Sequence, residues 1–210
     1  MKNFTPIQRL TSGQFILCVN VDVPAKSVAE LIALAKKDPK ALSYGTPNST
    51  SLMSTEVLKA MAGIDILQVP YKSATAAYTD LIAGRVSMMF GDQLNAVPLV
   101  QSGKVRGLAV SGTTRSPLVP NLPTMEEAGL KGFAVNSWAG MFGPAGVPQE
   151  IVASIHKVLD AALQRPDFMK QLESFGYTAV TQTPEAFGKF VADEIVNWRR
   201  AIQTAKIEPQ

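Results

Sequence analysis

The chain has 210 residues, 46% of them hydrophobic and 18% charged, with a formal net charge of +3. That length suits one large domain or two small ones with a real core. The small charge and the lack of any basic run beyond Lys36-Lys37 and Arg199-Arg200 argue against a nucleic-acid partner.

Strand and helix patterns alternate along the first half. Gln14 to Val21 reads as a strand. Ser27 with Glu30 makes a capping box for a helix to Lys37, stopped by Asp38-Pro39. A strand at Leu42 to Gly45 leads through "TPNSTS" into a helix from Ser51 to Ala62, closed by Gly63. Strand Ile66 to Val69, helix Ala74 to Ala83 and strand Val86 to Phe90 follow. A helix over Gln93 to Gln101 contains Pro98, which is expected to kink it or confine it to short turns. Strand Val105 to Val110 completes a rhythm that predicts a parallel α/β sheet with helices on both faces.

The rhythm then breaks. Ser111 to Pro123 carries three prolines, and Thr124 with Glu127 caps a brief predicted helix ending at Gly129. "FAVNSWAGMFGPAGVP" reads as extended. The remainder is mostly helical: Gln149 to Gln164, Pro166 to Phe175 and Pro184 to about Lys206, with a strand at Tyr177 to Val180. An α/β block followed by this break suggests two lobes.

Catalytic candidates are few. His156 is the only histidine and sits mid-helix in "IVASIHKVLDAAL", where a structural or solvent-facing role suits it. The lone Cys18 lies in an apolar run, excludes an internal disulfide and has no partner for a metal site. "SIHK" lacks the companion motifs of penicillin-recognising enzymes. There is no G-x-S-x-G, G-x-G-x-x-G or G-x-x-x-x-G-K-[ST]. No catalytic set, metal site or cofactor is expected. No run of about 18 apolar residues suggests a membrane span, and the first residues show no signal-peptide pattern.

What remains is a set of loops that leave strands and open helices: "YGTPNSTS", "VPYKSAT" and "MMFGDQ". Helix starts offer unpaired N–H groups and the positive end of a dipole, so an anion is their natural guest. Thr46, Ser49, Thr50 and Thr75 add hydroxyls and Lys72 adds charge, which suits a carboxylate or a phosphate. Capping and turn chemistry is the competing account of each residue taken singly.

The chain also resembles the Bug family, the solute receptors of tripartite tricarboxylate transporters. The resemblance rests on "FTPI", "VPAKSVAELIALAKKDPKALSYG", "VPYKSATAAYTDLIAGRVSMMFGD", "GKVRGLAVSGTTRSPLVPNLPTMEEAGL", "SWAGMFGPAGVP" and "EIVNWRRAIQTAKI". It implies a two-lobed α/β architecture of the type II periplasmic-binding-protein kind, closing on a small carboxylate between the lobes. The second lobe is expected over 24–132 and the remainder of the first over 1–23 and 133–210. The first lobe is expected to be incomplete, because family members carry an earlier "P-F-x-x-G-G" loop and an export signal. The helices around Ile151 to Leu163 and Phe187 to Ile202 are then expected to show apolar faces without the sheet they cover.

The resemblance further implies binding without turnover, in the periplasm, with membrane subunits of the transporter as partners. Backbone amides around Thr46, Asn48, Ser49 and Thr50 would hold a carboxylate, and Tyr71, Lys72, Ser73 and Thr75 would line the same lobe. Gly91 would let the chain pass close to the ligand, Asp92 would cap its helix, and Trp138 would wall the cleft or serve as a core residue. The "YGTPNSTS" loop is shorter than the family's glycine-rich version, and Ser73 stands where the family has glycine. Two other classes share such a scaffold: a ligand sensor that meets a signalling protein, and an enzyme.

Overall fold

The structure is a computed structural model that describes residues 3–204. The chain divides into two compact units, one formed by Gln14–Asn136 and the other by the residues up to Gly13 together with Ser137–Gln203. These divisions fall at different places from the expected Pro24 and Gly132. The reason is strand β1 (Phe4–Val19), which runs unbroken for 16 residues and gives its second half to the larger unit.

In the larger unit, α1 (Val28–Lys37) starts as predicted at Ser27, whose hydroxyl accepts the Glu30 N–H at 3.2 Å. The Glu30 carboxylate reaches back to the Lys26 N–H at 2.6 Å, one residue before the expected donor. Then come β2 (Ser43–Thr46), α2 (Ser49–Ala62), β3 (Leu67–Pro70), α3 (Ala74–Ile82), β4 (Met88–Asp92), α4 (Gln93–Gln101) and β5 (Arg106–Val110). Gly63 ends α2 in the left-handed conformation, φ 62°, which a residue with a side chain rarely adopts. Pro98 does not break α4. The carbonyl it leaves without an N–H partner belongs to Leu94, a residue open to solvent.

The strand order is β3-β2-β4-β1-β5. β2 is parallel to both β3 and β4, whereas β1 is antiparallel to β4 and to β5. The expected parallel sheet therefore has one reversed strand between β4 and β5. Side chains of β1 alternate between two cores, as a strand buried on both faces requires. Phe15, Leu17 and Val19 join Tyr44, Leu58, Phe90 and Phe133 on one face. Ile16 and Cys18 join Tyr78, Leu81, Met89 and Val97 on the other.

The brief helix expected after Thr124 does not form. Its capping box does: Thr124 Oγ1 accepts the Glu127 N–H (3.0 Å), and the Glu127 carboxylate accepts the Thr124 N–H (2.9 Å). Gly129, at φ 106°, ends the segment after a single turn.

In the smaller unit the first half of β1 pairs with β6 (Asn136–Pro144) and with β7 (Tyr177–Ala179). Three helices complete it: α5 (Gln149–Leu163), α6 (Pro166–Ser174) and α7 (Pro184–Thr204). Thr183 caps α7 through the Ala186 N–H at 3.2 Å. Among the described residues its buried large apolar side chains are Ile7, Val152, Leu163, Phe187 and Val191.

Candidate functional site

Because β2, β3 and β4 are adjacent and run the same way, the helix starts that follow them gather at one edge of the larger unit's sheet. This is the edge where open α/β sheets place ligands. Each start is capped by its own side chain. Asn48 Oδ1 accepts the Ser51 N–H (2.9 Å), Ser73 Oγ accepts the Ala76 N–H (3.3 Å), and Asp92 Oδ1 accepts the Asn95 N–H (3.1 Å). Capping consumes the third N–H of α2 and α3. The first-turn N–H groups of Ser49, Thr50, Ala74 and Thr75 have no acceptor within their helices. Asn48, Ser49, Lys72, Ser73 and Thr75 are exposed, and Thr50 and Tyr71 are half-buried. The Lys72 ammonium makes no ion pair among the described residues.

Three expected site residues face inward. Thr46 is buried, and its hydroxyl donates to the Val69 carbonyl at 3.5 Å while accepting from Gln68 Nε2 at 3.0 Å, so it offers no free donor at the surface. Its carbonyl instead accepts the Tyr71 N–H at 3.2 Å, tying the β2–α2 and β3–α3 loops together. The Tyr71 hydroxyl donates to Asp80 Oδ2 at 2.8 Å. At Gly91, a Cβ would lie 1.9 Å from the Tyr78 hydroxyl, so the absent side chain makes room for Tyr78, not for a ligand. Asp92 is a helix cap, as expected, and its carbonyl accepts from Tyr78.

Electrostatics follow these contacts. Arg85, 2.7 Å from Asp80 Oδ1, holds the Asp80 carboxyl below its ordinary range, with the Tyr71 hydroxyl adding to the effect. Burial, and then the hydrogen bond to Asp80, push the Tyr71 phenol up to about 12. Burial raises the Cys18 thiol far above its usual value and leaves it unreactive. No group of His, Cys, Asp and Glu able to hold a metal occurs among the described residues.

Trp138 belongs to the smaller unit. Its indole packs edge-on against Phe187 and Phe190, with centroids at 5.8 and 5.4 Å, and its Nε1 donates to Glu194 at 3.2 Å. Arg9 stacks 3.9 Å over the Phe190 ring. In that unit Trp138 is a packing residue. His156 is half-buried on α5, with its Nδ1 enclosed and unpartnered among the described residues.

Sequence reasoning missed Asp80, Gly45 and Gln68, which hold the loops from behind. Asp80 lies nine residues after Tyr71, on a helix where an acidic residue reads as a solvated face. No local spacing rule links the two.

Residues 1–207 match the tripartite tricarboxylate transporter family receptor, TctC. The chain belongs to that family. The "UPF0065 protein in tcbD-tcbE intergenic region" of a Pseudomonas species is 30% identical over 204 residues, covering 96% of this chain and 61% of the relative. The chain thus spans about three fifths of the length of such TctC relatives. A Rhodopseudomonas palustris protein solved with adipate superposes with a TM-score of 0.93 at 34% identity, covering all of this chain and 71% of that one. The periplasmic binding protein BugD gives 0.89 at 31% identity, covering 99% of this chain and 71% of its own. MatC from Rhodopseudomonas palustris, solved with malate, gives 0.86 at 30%, covering 95% and 69%. These structures establish the α/β fold of periplasmic binding proteins for this chain.

Proposed function

We propose that this TctC-family chain is a periplasmic solute receptor that holds a small carboxylate at the loop edge of its larger unit. Its partners would be the membrane subunits of a tripartite tricarboxylate transporter, and its chemistry binding without turnover. The observation that carries the reading is the gathering of the α2 and α3 starts on parallel neighbouring strands, with Lys72 exposed beside them. Relatives of the same fold solved with adipate and with malate support a dicarboxylic ligand. None of the described helices is long and apolar enough to cross a membrane, which suits a receptor working beside membrane subunits.

In this reading the N–H groups of Ser49 and Thr50 receive one carboxylate, and those of Ala74 and Thr75 receive negative charge with Lys72. Calorimetry with adipate and malate tests it. Lys72→Ala is expected to weaken binding by about 1.5–3 kcal/mol, the usual value for a hydrogen bond to a charged group. Ser49→Ala and Thr50→Ala are expected to cost about 0.5–1.5 kcal/mol each if their hydroxyls donate as well. His156→Ala, in the smaller unit, is expected to leave affinity unchanged. Unchanged affinity at Lys72, Ser49 and Thr50 together with a loss at His156 overturns the assignment. Product formation from either acid would replace the receptor by an enzyme.

A further inference from the structure

Tyr71 is fixed at three points. Its N–H donates to the Thr46 carbonyl, and its hydroxyl donates to Asp80 Oδ2. Its ring lies against Gly45, where a Cβ would come within 3.4 Å of it. Asp80 is itself held from the far side, because Arg85 Nη1 donates to its Oδ1 at 2.7 Å. The Asp80 carbonyl also accepts the N–H groups of Arg85 and Val86 as the chain leaves α3.

The helix end alone would disfavour a carboxylate in this place, and the hydrogen bonds from Arg85 and Tyr71 are what hold it ionised. Asp80 lies near the C-terminal end of α3, where the helix dipole disfavours negative charge. Its ion pair with the 68%-exposed Arg85 is of the solvent-screened kind that adds little to stability. What the contacts do accomplish is geometric. Tyr71 precedes α3, Arg85 follows it, and Asp80 joins the two.

We propose that Asp80 is a positioning residue for the carboxylate site, acting through the Tyr71 hydroxyl to hold the β3–α3 loop in its binding shape. The inference rests on the carboxylate reading above. Held from behind, Lys72 and the N–H groups of Ala74 and Thr75 meet the ligand already ordered. Binding then does not have to meet the cost of freezing the loop. The hydroxyl, N–H and ring of Tyr71 are accordingly taken up in holding the loop, not in meeting the ligand.

The test uses the full chain, with adipate as the calorimetric probe and hydrogen exchange as a second readout that needs no ligand. Asp80→Ala is expected to speed exchange at Lys72 to Ala76 while leaving β4 unchanged, and to weaken adipate by about tenfold. Asp80→Asn keeps an acceptor for Tyr71 and is expected to restore affinity to within about threefold of the parent. Tyr71→Phe should match Asp80→Ala, and the double variant should be no worse than either, the signature of one shared interaction. Unchanged loop exchange and unchanged affinity in Asp80→Ala overturn the proposal. Faster loop exchange in Asp80→Ala, in a parent that binds neither adipate nor malate, supports the hold on the loop and overturns the carboxylate reading instead.

Discussion

The two units use amphipathic elements to opposite effect. In the larger unit, every strand of the sheet meets apolar side chains, and the cores on its two faces hold fully buried Leu17, Leu58, Phe90, Phe133, Leu81 and Met89. In the smaller unit, α6 carries the apolar residues Phe168, Met169 and Leu172, followed by Phe175 just past its end, yet contains no buried residue. On α5, Val158 is 68% exposed, and Ile195 and Val196 on α7 are also open. An apolar stripe shows that a helix can gain from a partner; it does not supply one. The stripes of the larger unit are spent on its own sheet, whereas those of α5, α6 and α7 are largely unspent among the described residues.

Alkaline titration should expose this contrast most strongly. Three of the chain's four tyrosines, Tyr44, Tyr71 and Tyr78, lie in the larger unit. Burial raises all three phenols, Tyr71 to about 12 and the other two beyond it. Because the folded values are raised, their contribution is intact below the unfolded value of about 10 and is lost as pH climbs through the folded values. Circular dichroism and phenolate absorbance should therefore change together above pH 10 or so. Ionisation of all four tyrosines near the ordinary value, with the spectrum of the fold unchanged, would contradict it.

Core truncation comes next. Phe90 is fully buried and stacks on Phe133 at 5.9 Å, so Phe90→Ala should cost about 3–5 kcal/mol in urea denaturation. A smaller loss is expected at Gly91→Ala, where the added Cβ meets the Tyr78 hydroxyl and overpacking typically costs about 1–3 kcal/mol. Tyr78→Phe in the same chain should recover part of it, and strict additivity would show that the clash is relieved some other way. The smallest effect should be Val158→Ser, within about 0.5 kcal/mol, as for any exposed position. A loss of about 2 kcal/mol or more would mean that Val158 is covered in solution.

Much of this fold was legible from local signals. Ser27 with Glu30 and Gly63 after Ala62 marked helix ends because capping chemistry acts within four residues. The first half of β1 was missed. Its partner β7 lies at the opposite end of the chain, and "FTPIQRLTSG" shows no clean alternation. The reversed direction of β1 was equally hidden, since the order of elements does not record direction. Thr124 and Glu127 gave a true capping box whose helix never extends, because Gly129 follows too soon. At the site, the exposed loop residues could be read from helix-start chemistry. The inward turn of Thr46 and the packing role of Gly91 could not, since both depend on Gln68 and Tyr78 arriving from other elements.

The reversed strand also sets the order in which the chain can fold. Ile16 pairs with Gly91 on one side and Val110 on the other, so β1 is synthesised well before either partner. Neighbouring β2 and β3 can pair as soon as α2 is made, while "FILCV" must wait for the whole α/β block. Pairings this distant are slow to form and leave apolar strand exposed meanwhile. The segment that ends up most deeply enclosed is therefore the one that a nascent chain must protect for longest.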